Sequence, residues 1–401
     1  MKKIHCLNSI SKVGLESFSK DYTFTDNISE ADALLVRSAS LHDTEFSEEL
    51  VAIARAGAGV NNIPVDRCSE EGIVVFNTPG ANANSVKELV IAAMLIVARD
   101  VIGGIEWVKS VMDNPNIAKE VEKAKSKFAG HEIKNKKLGV IGLGAIGSEV
   151  ANAASSLGME VYGYDPYMTV NAAFRLSRRV HPVTDINKIY ENCDYISLHM
   201  PLTEENTEMI NEESLGLMKE EVVILNFSRD KLVNDEDMAK ALKSGKVKRY
   251  VTDFPNEHIR DMEGVLAIPH LGASTEESED NCALMAAEEL MDYIENGNIT
   301  NSVNFPNCDM GICRVTLRVA LLHSNKPNMI GQISAVLAAK DINISDLTNK
   351  SKGKYAYTLV DLDSELDEDA EAALKKIDGM KRVRRIYAEY MVLTARRRQL
   401  H

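Results

Sequence analysis

Residues Lys137–Asp165 read KLGVIGLGAIGSEVANAASSLGMEVYGYD, and the order of signals in this stretch decides the fold class. Leu138–Ile141 is an apolar, β-branched run of strand length. It stops at Gly142, Leu143, Gly144, Ala145, Ile146 and Gly147, then passes into a helical pattern (Ile146, Val150, Ala153, Ala154, Leu157) that closes on Gly158. A second strand, Val161–Tyr164, delivers Asp165, 18 residues beyond Gly147. Three glycines in a strand-to-helix turn have separate mechanical duties. The first makes the tight turn, the second lets a pyrophosphate approach the backbone, and the third lets the helix press on the strand. The helix N-terminus offers unpaired N–H groups and a positive dipole end to the phosphates. A carboxylate about 20 residues on holds the adenosine ribose and repels a 2′-phosphate, so the expected cofactor is NAD.

Outward from this unit the chain keeps alternating strands and helices, the mark of a parallel sheet with helices on its faces. On the N-terminal side, Ile4–Leu7, Ala33–Val36, Val51–Ala54 and Val74–Phe76 read as buried strands. From Ser85 the pattern VKELVIAAMLIVARDVIGGIEWV predicts one long helix, capped by Ser85 and loosened near Gly103-Gly104. The charged stretch Lys119–Lys127 predicts a solvated helical face. On the C-terminal side Tyr195–Leu198, Val222–Leu225, Tyr250–Thr252 and Leu266–Ile268 predict further strands, followed by a helix over Glu276–Glu295. Asn298–Gly311 is a polar, Pro-containing joint without periodicity and is expected to be a domain boundary. Beyond it, strands at Arg314–Leu322, Ile342–Asn349, Tyr355–Asp361 and Val383–Tyr387 interleave with helices at Met329–Lys340 and Asp367–Ile377. That is the β-α-β-β-α-β order of a ferredoxin-like module.

Composition bounds the function. The 401 residues carry a net charge of −14, which argues against a nucleic-acid or anionic-membrane partner. Arg396, Arg397 and Arg398 are expected to be a solvated end. Six cysteines, Cys6, Cys68, Cys193, Cys282, Cys308 and Cys313, show no CxxC pair and no metal-ligand spacing, so free thiols and no metal are expected. The N-terminus MKKIHCLNSISKVG lacks a signal-peptide core, and the longest apolar run, Leu89–Ala98, is too short to span a bilayer. The expectation is a soluble cytoplasmic protein.

Read from the residues alone, His270 closes a strand. It could cap the turn Leu271-Gly272 or take a proton from a 2-hydroxyl. Arg229, after Val222–Leu225, can present a planar fork of donors to an α-keto carboxylate. The segments VRSAS (36–40), ARAGAGVNNI (54–63), FNTPGANANSVKE (76–88), GLGAIG (142–147), HMPLTEENT (199–207), NFSRDKLVN (226–234) and IPHLGAST (268–275) carry a resemblance over essentially the whole chain. It resembles the D-isomer-specific 2-hydroxyacid dehydrogenases, and among them those that carry a C-terminal ACT module.

The resemblance implies two Rossmann-like parallel-sheet domains and a ferredoxin-like ACT domain. The substrate domain is discontinuous (1–98 and 281–310), the NAD-binding domain covers 99–280, and the ACT domain covers 315–401. It implies His270 as acid/base, Arg229 as clamp and Glu257 as the carboxylate that orients the histidine. Cofactor contacts are expected at Gly142, Gly144, Ala145, Ile146, Gly147, Asp165, His199, Pro201, Thr207, Phe227, Ser228, Asp253 and Gly272. Arg37, Ser38, Arg55, Ala58, Gly59 and Asn82 are expected to hold a phosphorylated substrate. His323, Asn325 and Asn343 match positions that bind L-serine across a domain pair. The chain departs from the family pattern at Arg229-Asp230-Lys231, where Arg-Gly-Gly is usual, at His258, and at Asn328. The implied reaction is NAD-dependent oxidation of 3-phospho-D-glycerate to 3-phosphohydroxypyruvate by a homodimer or homotetramer. A glyoxylate or hydroxypyruvate reductase, and a non-catalytic NAD-sensing protein on the same fold, stay open beside it.

Overall fold

The structure is a computed structural model that describes residues 1–388, so the run Arg396–Arg398 lies outside the described residues. The chain divides into two compact units, residues 1–81 with 276–401, and residues 82–275.

The second unit is built on a seven-stranded sheet whose pairings are all parallel. From one edge the strands are Val265–Ala267, Val247–Thr252, Val222–Asn226, Tyr195–Leu198, Lys137–Ile141, Glu160–Tyr164 and His181–Pro182. The chain therefore starts at Lys137–Ile141, winds outward to one edge, and returns to wind toward the other. Strand order reverses between Lys137–Ile141 and Tyr195–Leu198, the crevice where doubly wound sheets bind ligands at their carboxyl ends.

The expected long helix is two helices, Ala83–Ala98 and Val101–Ser110. They part at Asp100, whose φ of +37° is left-handed, and not at Gly103-Gly104. Asn82 stands at the N-cap, while Ser85 is inside the helix and donates to the carbonyls of Asn82 and Gly272. This first helix was expected in the N-terminal domain. Instead it belongs to the second unit, because Val86, Val90, Ala93 and Met94 bury against Val150, Ala151 and Ala154 of the glycine-loop helix.

In the first unit, a five-stranded parallel sheet runs Tyr22–Phe24, Lys2–Leu7, Ala33–Val36, Ala52–Arg55, Val74–Asn77. Tyr22–Phe24 is a strand that periodicity missed, being only three residues long. Helix Glu276–Asn296 crosses back onto this sheet and buries Ala286, Leu290 and Tyr293 against Ala54 and Phe76. At Gly14 the approach of helix Lys12–Glu16 is so close that a Cβ would lie 2.6 Å from the Ala283 backbone.

The ferredoxin-like module completes this unit. Strands Leu317–Ser324, Ile344–Lys352, Tyr355–Leu362 and Met380–Ile386 pair antiparallel, with Ile344–Lys352 at one edge and Met380–Ile386 at the other. Leu317, Val319 and Leu321 face the module's own helices through Met329, Ile333 and Leu374. Ala320, Leu322 and Leu359 face the opposite way and share a core with Tyr293, Ile294 and Phe305. The joint at Asn298–Gly311 is therefore packed into the unit. Arg318, 1% exposed, ties it down: its guanidinium donates to both Asp361 oxygens (2.6 and 3.0 Å) and to the carbonyls of Asn296, Gly311 and Met310. Among the described residues no helix is long and apolar enough to cross a membrane, and all six cysteines are free thiols.

Glu289, on the buried side of helix Glu276–Asn296, accepts from Asn301 Nδ2 at 2.7 Å through one oxygen, and the other has no partner. Burial pushes its carboxyl up to about 8, and the charge of Glu288 adds to the shift. The folded chain thus binds this proton more tightly than the unfolded one. Glu289's contribution is intact below the unfolded value of 4.5 and is lost as pH rises toward 8. Glu289→Gln should leave the thermal midpoint unchanged at pH 4 and raise stability at pH 8.5, by about 1–3 kcal/mol, the cost of an unsatisfied buried group. Thermal melts at the two pH values read this directly, and a gain at both would mean the carboxyl does not titrate in this interval.

Candidate active site

The glycine turn is shaped by three contacts. Gly142 has φ +90°, and a Cβ there would fall 2.4 Å from the carbonyl oxygen of His199. A Cβ on Gly147 would fall 1.9 Å from the carbonyl oxygen of Gly142, so helix Ala145–Ser156 lies directly on the turn. Gly144 faces open space, with nothing within 4 Å of a built Cβ. It also stands at the N-cap and supplies no side chain, which leaves the N–H groups at Ala145, Ile146 and Gly147 to an incoming anion. Asp165 accepts from the N–H of Leu143 and of Tyr167, both at 2.9 Å, so its carboxylate holds the turn. These features fit a dinucleotide.

Around the turn, His199 is half-buried, and loss of solvent around its ring pushes the imidazole down to about 4. Its Nε2 lies 2.7 Å from Ser197 Oγ, while Nδ1 has no partner. Ser228 donates to the Leu198 carbonyl at 2.6 Å and Phe227 is buried in the sheet core, so both act as wall. Pro201 and Thr207 sit on the exposed loop that follows, where the Pro201 carbonyl accepts from Asn206 and Thr207 donates to Thr203.

His270 and Arg229 meet across one aromatic ring. Phe254 lies with its centroid 4.5 Å from the His270 ring, and the Arg229 guanidinium stands 5.8 Å over it. Arg229 Nη1 donates to the Ser228 carbonyl at 2.6 Å, and the Arg229 carbonyl accepts from Asn226, which holds the turn despite the missing Gly-Gly. Beside them Asp253 is 2% exposed, and its Oδ1 has no hydrogen-bond partner. Burial raises the Asp253 carboxyl above the usual range, opposed by the positive charges of His270 and Arg229 and by the Gly272 N–H.

Glu257 is not part of this group. Its side chain is 87% exposed and lies 3.9 Å from His258. The cause is local: Asn256 Oδ1 accepts from the N–H groups of His258 and Ile259 (2.9 and 3.1 Å), and this turn aims Glu257 outward. The carboxylate that shares an electrostatic environment with His270 is Asp253, expected from the sequence only as a nicotinamide contact. Phe254 was missed altogether. Its signal was an aromatic directly after a buried strand-end acid.

Of the expected anion-binding residues, Arg37, Ser38, Arg55, Ala58 and Gly59 lie in the first unit and Asn82 in the second. Arg55 lies flat across Gly57, where a Cβ would fall 1.5 Å from Nη1, and its Nε donates to the Arg37 carbonyl at 3.1 Å. The two strand ends therefore present their arginines together. Arg37 Nη2 pairs with Glu279 at 2.5 Å. Ser38 is less available, since Asn8 Oδ1 accepts its N–H at 3.0 Å. The Ala58 carbonyl accepts from Asn77, and Asn82 keeps a buried side-chain oxygen without a partner.

The three expected effector residues do not converge within one module. His323 bonds to Thr358 and the Ser324 carbonyl, and Asn325 donates to the Gly353 carbonyl. Asn343 lies at the opposite end of the sheet, where it donates to Asp363.

Comparison with known proteins gives this geometry a setting. Residues 91–272 match the sequence profile described as D-isomer specific 2-hydroxyacid dehydrogenase, NAD binding domain. A D-3-phosphoglycerate dehydrogenase of Methanocaldococcus jannaschii is 35% identical over 76% of this chain, a match that spans 57% of that protein's length. One of Haemophilus influenzae is 30% identical over 86% of this chain and 83% of that protein. Among solved structures, an NAD+-bound 3-phosphoglycerate dehydrogenase of Entamoeba histolytica superposes with a TM-score of 0.60 at 27% identity, over 76% of this chain and 98% of that one.

The turn yields a paired prediction. Gly144→Ala adds a methyl that the folded chain accommodates but that occupies the pyrophosphate approach. It should weaken NADH binding by about tenfold or more, some 1.4 kcal/mol, without lowering the thermal midpoint. Gly147→Ala should lower the midpoint itself, by roughly 1–3 kcal/mol of overpacking. Fluorescence titration with NADH and thermal melts on both variants separate the two effects.

Proposed function

This chain belongs to the D-isomer specific 2-hydroxyacid dehydrogenases, and from that premise we propose that it oxidises 3-phospho-D-glycerate to 3-phosphohydroxypyruvate, the entry to L-serine synthesis. The observation that carries the substrate reading is the pair Arg37 and Arg55. Arg55 is held through its Nε to the Arg37 carbonyl, and two guanidinium groups are more cationic donors than an unphosphorylated 2-hydroxy acid needs.

In the oxidation His270 takes the proton of the C2 hydroxyl, and in the reverse direction returns it. Arg229 holds the substrate carboxylate and the oxygen at C2 through its planar fork. The glycine turn and Asp165 would hold NAD, which would supply the hydride acceptor. Asp253, buried and within electrostatic reach of His270 and Arg229, orients the imidazole. Phe254 packs against the imidazole and lies under the guanidinium, which helps to fix both.

Regulation by L-serine belongs to the same reading, with the ferredoxin-like module acting as an ACT domain. His323 and Asn325 of one module would meet Asn343 of a second, which requires a homodimer or homotetramer. A soluble, cytoplasmic enzyme is the setting this implies.

A turnover panel tests the assignment. 3-Phosphoglycerate should be oxidised with NAD in preference to NADP and in preference to D-glycerate or glycolate. Replacing Arg37 or Arg55 by Ala should raise KM for the phosphorylated substrate far more than it lowers kcat. Equal losses with both substrate classes would support a glyoxylate or hydroxypyruvate reductase, and no turnover at all would support an NAD-sensing protein. Adding L-serine to the panel, with calorimetric titration beside it, tests the regulatory part; millimolar serine without heat or inhibition removes it.

A second prediction concerns the acid/base group. His270→Ala should keep NADH binding and lower turnover roughly 10²–10⁴-fold. As placed here, Asp253→Asn should cost more activity than Glu257→Gln. A larger loss in Glu257→Gln would show that the Asn256 turn opens on substrate binding and returns Glu257 to the orienting role.

A further inference from the structure

Glu279 stands in the first turn of helix Glu276–Asn296, beside Glu276 and Glu277, where a negative charge is favoured by the helix dipole. Its Oε1 lies 2.5 Å from Nη2 of Arg37, 242 positions away in sequence. The two side chains are 38% and 40% exposed, so an anion arriving from solvent can reach the guanidinium. Arg37 has five N–H donors, and the contact with Glu279 engages one nitrogen of its fork. Arg55, held through its Nε to the Arg37 carbonyl, supplies a second cation nearby.

The consequence is electrostatic. Without Glu279, an anion would meet the full positive charge of Arg37. With it, the anion meets a neutral ion pair and a carboxylate already on the same guanidinium. A phosphate dianion suffers about twice the repulsion that a singly charged carboxylate does, because Coulomb energy scales with the product of the charges.

We infer that Glu279 is a specificity-determining residue. By holding Arg37 in an ion pair, it limits how tightly the phosphate of the substrate is bound relative to an unphosphorylated 2-hydroxy acid. This rests on the reading of Arg37 as a phosphate-binding arginine. Glu279 acts through Arg37 and takes no part in proton or hydride transfer.

The test compares wild type, Glu279→Gln, Glu279→Asp and Arg37→Ala with 3-phosphoglycerate and with D-glycerate. Gln keeps the length and shape of the side chain while removing its charge. In Glu279→Gln, KM for 3-phosphoglycerate should fall about two- to fivefold, the range of an exposed ion pair, and KM for D-glycerate should hardly move. The gain should shrink between 50 mM and 500 mM salt, because it is a surface electrostatic effect. Glu279→Asp, which restores the carboxylate, should return the ratio of the two KM values toward wild type. A rise in KM for 3-phosphoglycerate in Glu279→Gln would overturn the inference and make Glu279 a support that holds Arg37 in place. Parallel shifts with both substrates, or none, would overturn it as well. If Arg37→Ala itself fails to discriminate the substrates, the phosphate reading falls. If Arg37→Ala discriminates and Glu279→Gln does not, only the inference about Glu279 falls.

Discussion

The contact between Gly147 and the carbonyl of Gly142 is the constraint on which the second unit depends. No side chain fits there, since a Cβ would come within 1.9 Å of the oxygen. Because the helix can settle that far, its N-terminus points its free N–H groups over the end of strand Lys137–Ile141. The neighbouring strand ends at Leu198, and the carbonyl of His199 just beyond it crowds Gly142 from the other side. Asp165 closes the arrangement by accepting the N–H of Leu143. Three adjacent strand ends are thereby locked to one turn, beside which Gly144 faces open space.

Charge is organised differently around His270. His270 is exposed, whereas the carboxylate that balances it is buried with one oxygen unpartnered. A buried carboxylate is costly unless cations compensate it, and here His270 and Arg229 offset only part of that cost, since burial still raises the carboxyl above its ordinary value. Phe254 packs on the His270 ring and adds a cation–π interaction with Arg229.

In the first unit, one helix serves two cores. Helix Glu276–Asn296 packs Ala286 and Leu290 on the parallel sheet, and through Tyr293 and Ile294 it also covers the open face of the antiparallel one. Its last carbonyls are capped from the ferredoxin-like module: Arg384 donates to Tyr293 and Ile294 and stacks 4.4 Å over the Tyr293 ring. Arg318 is the companion device. All five of its N–H groups are satisfied, which is the condition under which a buried ion pair is tolerated.

Elements were legible from the chain alone wherever short-range rules govern. The glycine spacing, the β-branched strands and the β-α-β-β-α-β order each lie within a few dozen residues, and backbone hydrogen bonding and periodicity decide them locally. The strand pattern placed His270 and Arg229 at strand ends but left their roles open. Family resemblance supplied the remaining site residues, the discontinuous first domain among them. Tertiary structure decided what depends on partners remote in sequence. Asn256 turns Glu257 away while its amide is held by Asp235, Glu279 reaches back to Arg37, and burial raises the Asp253 carboxyl beside His270. Helix Ala83–Ala98 joined the second unit because its apolar face fits the glycine-loop helix. A residue's type and spacing declare what it can bond to. Which bond it makes depends on the charges and surfaces that folding brings within a few ångströms, and the sequence does not order those by distance.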